Sequence, residues 1–372
     1  MIIIYLILFL FACYSVLVLY YAKTWNSVPF FTPPSTIRSL QKISVIIPAR
    51  NEERNIGTLL RAIENQSYPR HLFEVIVIDD HSTDSTAEMA QGFPLVRLLQ
   101  LKESGINSYK KKAIETGIAA ATGDLIITTD ADCHPLPHWL ATHAAFKEEK
   151  KAVFVTAPVV IECNSTILQL FQAMDFMVLQ GITGAAVHSQ HLSMCNGANL
   201  CYERKAFYDV GGFAGIDAIA SGDDMLLMHK INAGFPGKSH FLKSTSAIVS
   251  TRPATSWGEF FNQRIRWASK AAKYDDKRLL PVLLLVYLVN VSFLVLAVLG
   301  FWNTQYWLWL LAAWIIKTVV ELPLFMSVAS FFNKKWAAKY FFLFQPLHII
   351  YTIISGLFGQ LGRYEWKGRK VK

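Results

Sequence analysis

The stretch Ser44-Val-Ile-Ile-Pro48, running straight into Ala49-Arg50-Asn51-Glu52, decides how the rest of the chain is read. Its apolar run is too short for a helix and is bounded by turn residues, the pattern of a strand buried on both faces of a parallel sheet. Two later runs repeat it: residues 75–78 open onto Asp79-Asp80-His81-Ser82, and residues 125–127 lead to Asp130-Ala131-Asp132. Between the first two strands, Ile56, Leu59, Leu60 and Ile63 keep helical spacing until residues 65–69 break it. After the second, residues 84–90 read as a helix start with Ser82 or Asp84 as N-cap. Strand–helix–strand alternation predicts an open, mostly parallel α/β sheet with right-handed crossovers. Such sheets bind ligands beyond the carboxyl ends of their strands. Three acidic strand ends on one rim repel one another unless a cation or a donor-rich ligand lies among them.

Around this domain the composition changes. Of 372 residues, 53% are hydrophobic and only 17% charged, against about 25% charged in an average soluble domain, which excludes a disordered chain. The apolar excess sits at the two ends. Residues 2–22 carry no charge and Lys23 is the first. With neither a basic leader nor a small-residue cleavage site, this predicts an uncleaved transmembrane anchor. Residues 281–301, 306–330 and 340–361 are further apolar segments. The expected layout is an anchor (1–23), a cytoplasmic α/β domain (40–278), a membrane block of about three segments (279–362) and a basic tail (363–372).

The link 302–305 is uncharged, whereas the next carries Lys334, Lys335 and Lys339, which places that link and the middle domain in the cytoplasm. If every segment spans, the basic tail falls outside. The last segment, interrupted by Pro346, Gly356, Gly359 and Gly362, is therefore either spanning or re-entrant. Inside the third apolar segment, Lys317 and Glu321 stand four apart and can pair on a helix.

The net charge of +9 follows the same division. Residues 264–278 hold six Lys/Arg against two Asp, and the tail five against one Glu. Both border apolar segments, so the charge reads as juxtamembrane, not as a nucleic-acid surface. The five cysteines, Cys13, Cys133, Cys163, Cys195 and Cys201, form no CxxC and are odd in number, which argues against a disulfide framework or a zinc site and for a reducing setting.

Chemistry concentrates in a few residues. Asp130 and Asp132, two apart, point to one side in extended chain and can approach one Mg²⁺ or Mn²⁺ ion, which bridges to phosphate oxygens. Asp223-Asp224 precedes an apolar run; it is either a helix cap or a general base for an acceptor hydroxyl. Gln263 and Arg266 share a helical face beside Trp267; arginine forks onto a diphosphate and the indole offers a stacking face, while the alternative is an interfacial anchor. One of Lys110, Lys111 and Lys112 can reach the site. Ile167, Leu170, Phe171, Met174 and Val178 lie on one helical face, either a membrane-proximal acceptor surface or an ordinary core helix. P-loop, GxGxxG, GxSxG and HExxH patterns are all missing from the sequence.

Taken in order, these motifs resemble the inverting family-2 glycosyltransferases with the GT-A fold. The motifs are Ser-Val-Ile-Ile-Pro-Ala-Arg-Asn-Glu-Glu, Ile-Asp-Asp-His-Ser-Thr-Asp, Lys-Lys-Lys-Ala-Ile-Glu-Thr-Gly, Thr-Thr-Asp-Ala-Asp, Asn-Gly-Ala-Asn, Gly-Gly-Phe, Gly-Asp-Asp and Gln-Arg-Ile-Arg-Trp. The resemblance covers roughly residues 43–267, with the membrane block as a further match. It implies that Pro48, Ala49, Glu52, Asp79, Asp80, Lys110, Asp130, Gln263, Arg266 and Trp267 bind a nucleotide-diphospho-sugar, either UDP- or GDP-linked. Asp132 and Asp130 would hold the metal and Asp224 would be the catalytic base. Gly197, Ala198, Asn199, Asp223 and Trp267 would lie on the acceptor side.

The implied reaction is inverting transfer to a lipid or lipid-linked acceptor at the membrane. A processive polysaccharide synthase is the alternative within the family, and a polytopic transporter or scaffold without catalysis is the alternative outside it. Two departures stand out: Asp223 where the family often has Glu, and Tyr109 where Gly usually precedes the lysine. With no gating element of the cellulose-synthase type, the chain looks closer to lipid-directed enzymes.

Overall fold

A computed structural model describes residues 2–34, 40–163, 166–219, 222–270, 276–361, 364–366 and 369–371. Ser221, part of the basic run 264–278 and several tail residues lie outside the described residues. The chain divides into two compact units. A sheet unit comprises Pro29–Glu162, Ser193–Arg252 and Glu365–Lys372, and a helical unit comprises Met1–Val28, Cys163–Leu192 and Pro253–Tyr364.

With elements numbered along the chain, α1 is Ile2–Ser27, β1 Ile43–Ala49, α2 Ile56–Glu64, β2 Phe73–Asp79, α3 Thr86–Gln91 and β3 Val96–Gln100. Next come α4 (Tyr109–Ala120), β4 (Leu125–Thr128), β5 (Cys133–Pro135), α5 (Trp139–Lys150), β6 (Phe154–Thr156), β7 (Val159–Ile161) and α6 (Ile167–His188). Then follow β8 (Leu200–Glu203), α7 (Arg204–Asp209), α8 (Met225–Gly234), β9 (Ser239–Phe241), β10 (Val249–Thr251) and α9 (Trp257–Ala268). The last long helices are α10 (Leu279–Gly300), α11 (Gln305–Phe331) and α12 (Ala338–Leu361).

The main sheet has seven strands in the order β3-β2-β1-β4-β8-β6-β9. β1 pairs parallel with β2 and β4, and β2 with β3, while β8 runs antiparallel to both β4 and β6. This is the mostly parallel α/β sheet that the apolar runs predict. The register pairs Ala49 with Asp79 and Ile46 with Thr128, so the three acidic strand ends do emerge on one edge. β1 is buried along nearly its whole length and β3, at the sheet edge, is only half-buried. α4 lies close on β1 and β2 because Gly117 has no side chain: a Cβ there would come within 2.7 Å of both Ile46 and Ile78. Helix α3 starts later than expected. Its first residue is Thr86, and Asp84 accepts from the Thr86 N–H at 3.1 Å instead of acting as N-cap.

In the helical unit, Ile7, Phe11, Tyr14 and Val18 of α1 form a core with Val289, Phe293, Leu296, Ala313 and Ile349. Among the described residues, five helices are long and apolar enough to cross a membrane: Ile2–Ser27, Ile167–His188, Leu279–Gly300, Gln305–Phe331 and Lys335–Gln360. The second of these, α6, differs from the rest. Its apolar window is 78% buried against 22–28% for the others, so it is a core helix of this unit. Lys317 and Glu321 pair at 2.7 Å as their spacing predicts, and Gln345 bridges them. α12 runs unbroken through Pro346.

Candidate functional site

The carboxyl ends of β1 and β2 continue into two loops that are laced together. The Asn51 N–H donates to Ser82 Oγ at 3.0 Å, and the Thr83 N–H donates to Asn51 Oδ1 at 2.8 Å. Glu52 donates its N–H to Thr86 Oγ1 at 2.7 Å, and its carboxylate accepts from Asn55 Nδ2 at 2.6 Å. Asn51 and His81 both adopt left-handed backbone, with φ of 50° and 53°. Such strain in a non-glycine residue clusters at functional sites. Pro48 and Ala49 end β1, and the Ala49 carbonyl accepts from the Asp80 N–H at 2.8 Å. Asp79 and Asp80 are 2% and 3% exposed. Asp79 Oδ2 accepts from the Ser82 N–H at 3.3 Å, while Oδ1 is buried with no partner among the described residues. A buried acceptor left open in this way suits a donor group on a ligand.

The second half of the rim is a charge cluster. Lys110, in the first turn of α4, reaches Asp130 Oδ1 at 2.6 Å and Asp223 Oδ2 at 3.3 Å. Asp224 is the N-cap of α8: its carboxylate accepts the Met225 N–H at 2.7 Å and the Gly197 N–H at 3.0 Å. Capping and proximity to the site, posed as alternatives by the sequence, therefore coexist in one carboxylate. Gly197 sits so close that a Cβ there would lie 3.2 Å from Asp223, 3.3 Å from Lys110 and 3.5 Å from Asp224.

Burial by itself would depress the Lys110 ammonium. The carboxylates of Asp130, Asp223 and Asp224 outweigh it and hold the group well above the ordinary lysine value. A raised folded value means that this stabilisation is complete below the unfolded lysine value of about 10.4 and is lost only as pH climbs through the higher one. Lys110→Met is therefore expected to lower the melting temperature by several degrees, by the same amount at pH 6 as at pH 9. Differential scanning fluorimetry in detergent checks this, and a deficit that shrinks between those two values would refute it.

Asp130 and Asp132 lie in a turn between β4 and β5, closed by the Cys133 N–H on the Asp130 carbonyl at 3.1 Å. The extended-chain argument for their common direction therefore does not apply. Asp132 accepts from Thr251 Oγ1 at 3.1 Å. Among the described residues no group of three or more His, Cys, Asp or Glu side chains is arranged to hold a metal. Two hard-oxygen donors in one short turn would suit Mg²⁺ or Mn²⁺ only as part of a coordination set completed from outside the protein, not as an all-protein cage.

Asn199 requires a correction. The resemblance puts it on the acceptor side, yet it is fully buried. Its Nδ2 donates to the carbonyls of Pro158 (2.9 Å) and Ala247 (2.8 Å), and its Oδ1 accepts from Trp139 Nε1 (2.9 Å) and meets His143 Nε2 (3.0 Å). All four hydrogen-bonding positions of the amide are occupied, so it is a scaffold residue. Ala198 is also buried. Of the predicted acceptor set in the sheet unit, Gly197 and Asp223 join the cluster.

Because Trp139 can only donate, the Asn199 oxygen is identified, and His143 Nε2 must carry the proton. Burial pushes His143 down to about 4 from 6.5. The unfolded chain then binds a proton that the fold refuses. This stabilisation is full above pH 6.5 and falls by about 1.4 kcal/mol per unit as pH drops toward 4. The wild-type melting temperature is expected to fall between pH 6.5 and pH 5 more steeply than that of His143→Gln; parallel slopes would refute the assignment.

Gln263, Arg266 and Trp267 belong to α9 of the helical unit, all half-buried. The residue between them, Arg264, is the buried one. It donates to Asp175 Oδ2 of α6 at 2.6 Å and lies over the Trp267 ring at 4.3 Å. Tyr351 of α12 donates to the other Asp175 oxygen at 2.5 Å. Sequence reasoning missed Asp175; its only signal was an acid inside an otherwise apolar helix.

Residues 44–211 match the family model "Glycosyl transferase family 2". Over 239 residues the chain is 27% identical to the probable glycosyltransferase YdaM of Bacillus subtilis (strain 168), covering 62% of this chain and 56% of that protein. Over 99 residues it is 37% identical to the dolichol-phosphate mannosyltransferase of Pyrococcus furiosus, covering 25% and 27%. The chain thus spans about half the length of YdaM and less of the mannosyltransferase. Among solved structures, the mannosyltransferase PcManGT from Pyrobaculum calidifontis, in complex with GDP-Man and Mn²⁺, aligns with a TM-score of 0.59 at 22% identity, over 95% of this chain and 98% of that one. That likeness establishes the fold.

Proposed function

We propose, from the premise that residues 44–211 form a glycosyl transferase family 2 domain of GT-A-like fold, that the protein transfers a sugar from a nucleotide-diphospho-sugar to a lipid or lipid-linked acceptor, with inversion. The carrying observation is the Lys110–Asp130–Asp223 cluster with Asp224 beside it.

Asp224 takes the proton from the acceptor hydroxyl as its oxygen bonds to the anomeric carbon. The bond from that carbon to the diphosphate breaks, and the electron pair leaves with the nucleoside diphosphate. Single displacement inverts the centre. Lys110 offsets negative charge among Asp130, Asp223 and the incoming diphosphate. Asp132 and Asp130 would hold Mg²⁺ or Mn²⁺, which when bound supplies charge neutralisation to the leaving group. Pro48, Ala49, Glu52, Asp79 and Asp80 take the nucleoside, with the open acceptor of Asp79 as a contact. Gln263, Arg266 and Trp267 add the donor contacts that the family resemblance assigns them.

The membrane reading is supported by the long apolar helices and by the likeness to a dolichol-phosphate mannosyltransferase. The protein is then an integral, multi-pass membrane enzyme with its sheet unit in the cytoplasm. Mn²⁺ use is supported by the metal in the PcManGT complex.

The test is a screen of UDP- and GDP-sugars against a membrane lipid extract, with Mn²⁺ or EDTA. Release of nucleoside diphosphate, dependence on the metal and a product carrying one sugar per lipid are expected. Pyrophosphate release would indicate nucleotidyl transfer, long polymer would indicate a processive synthase, and full activity in EDTA would remove the metal.

A further inference from the structure

The three consecutive lysines of α4 have three different fates. Lys110 joins the carboxylates. Lys112 pairs at the surface with Glu115 and Glu103. Lys111 is 1% exposed, and its Nζ donates to the carbonyl oxygens of Ile216 at 2.6 Å and Ile219 at 2.7 Å. An ammonium offers three donors and no acceptor, and its burial is tolerated only where those donors are used.

The acceptors belong to an irregular stretch between α7 and α8. Gly211, Gly212 and Gly215 there have φ of 72°, 50° and 82°. A second lysine, Lys230 of α8, donates to the carbonyls of Gly212 at 2.6 Å and Ala214 at 2.8 Å. Phe213 and Ile216 are buried beneath. Backbone that would have been paired by a helix or strand is thus held by two side-chain cations, one from each helix that also carries a member of the charge cluster: α4 with Lys110, and α8 with its N-cap Asp224. Ile219 stands only four residues before Asp223.

We propose that Lys111 is a positioning residue of the transfer reaction: it fixes the segment 216–219 to α4, so that Asp223 and Asp224 arrive beside Lys110 and Gly197. This rests on the reading of Asp224 as the base. Lys110 and Lys111 are neighbours on one helix, so the cation at the cluster and the tether of the segment leading into it move together. Since α4 is seated against the sheet at Gly117, that reference point is the sheet itself. The role is separate from donor binding, because Lys111 donates to the backbone carbonyls of Ile216 and Ile219 and not to the strand-end loops proposed to take the nucleoside.

The test uses the full chain in lipid–detergent micelles and the donor that the screen above identifies. Lys111→Met keeps the length and apolar stem and removes the ammonium. Amide hydrogen exchange in peptides covering 211–219 is expected to accelerate by about 10-fold or more, with β1, β2 and β4 unchanged. The kcat is expected to fall by about 10²-fold, the size of effect a misplaced catalytic group produces, with the donor KM held within about threefold. Lys111→Gln, which retains an N–H donor, should recover part of both. Normal kcat despite accelerated exchange overturns the positioning role, and so does exchange that rises throughout the sheet. Asp224→Asn, run in parallel, separates the two readings. Full activity in Asp224→Asn overturns the base assignment and the positioning role with it, whereas an inactive Asp224→Asn beside a fully active Lys111→Met overturns the positioning role alone.

Discussion

Asp224→Asn is expected to lower the rate of sugar transfer on the order of 10³-fold, within the range removal of a general base produces, while the protein stays folded. Asparagine caps a helix as well as aspartate does, and its oxygen can still accept the Met225 or the Gly197 N–H that the carboxylate takes at 2.7 and 3.0 Å. What it cannot do is accept a proton from an acceptor hydroxyl. The expected pattern is therefore a collapse of kcat with donor KM and melting temperature little changed. Asp223→Asn provides the contrast. Its carboxylate is tied to Lys110 at 3.3 Å, so its loss alters the balance of charge. If Asp223→Asn abolishes transfer and Asp224→Asn does not, the base is the other residue of the pair.

Asp175→Ala is expected to destabilise the helical unit by about 3–5 kcal/mol, the usual cost of removing one partner from a buried ion pair. Arg264 and Asp175 have side chains only 3% and 4% exposed. Deleting the acid would leave a guanidinium among Phe260, Trp267 and Tyr351 with no counter-charge, and would also strip the Tyr351 hydroxyl of its acceptor. Asp175→Ala combined with Arg264→Met should recover most of the loss, since apolar replacement of a whole buried pair is often neutral. Thermal unfolding followed by intrinsic tryptophan fluorescence checks this. An unchanged transition in the single variant would show that the pair contributes nothing.

The parallel strands β1, β2 and β4 were legible in the sequence because burial on both faces leaves an uninterrupted apolar run, and because each run leads into acids. β6, β8 and β9 were not. They are three or four residues long, and partner strands far along the chain, not local pattern, make them strands. The acidic rim was readable for the same reason the sheet was: parallel register puts like ends on one edge. Lys110 was separable from its neighbours only through the family resemblance. The role of Lys111 was invisible, since its partners are carbonyls about a hundred residues on, and every residue type has a carbonyl. Asn199 was placed on the acceptor side by the family resemblance alone, and nothing in the Asn-Gly-Ala-Asn stretch itself signals that its second asparagine turns inward. Asp175 was hidden by an apolar helix whose spacing suited either a membrane surface or a core.

The four-bonded amide of Asn199 also constrains how this protein can change over evolutionary time. Trp139, His143 and the carbonyls of Pro158 and Ala247 all depend on one side chain. No other residue offers two donors and two acceptors in that shape, so single substitutions there are closed off, and substitutions at Trp139 or His143 become acceptable only in company. Double-mutant cycles among the three should show strong non-additivity. Variation in such a domain is thereby directed away from this hub.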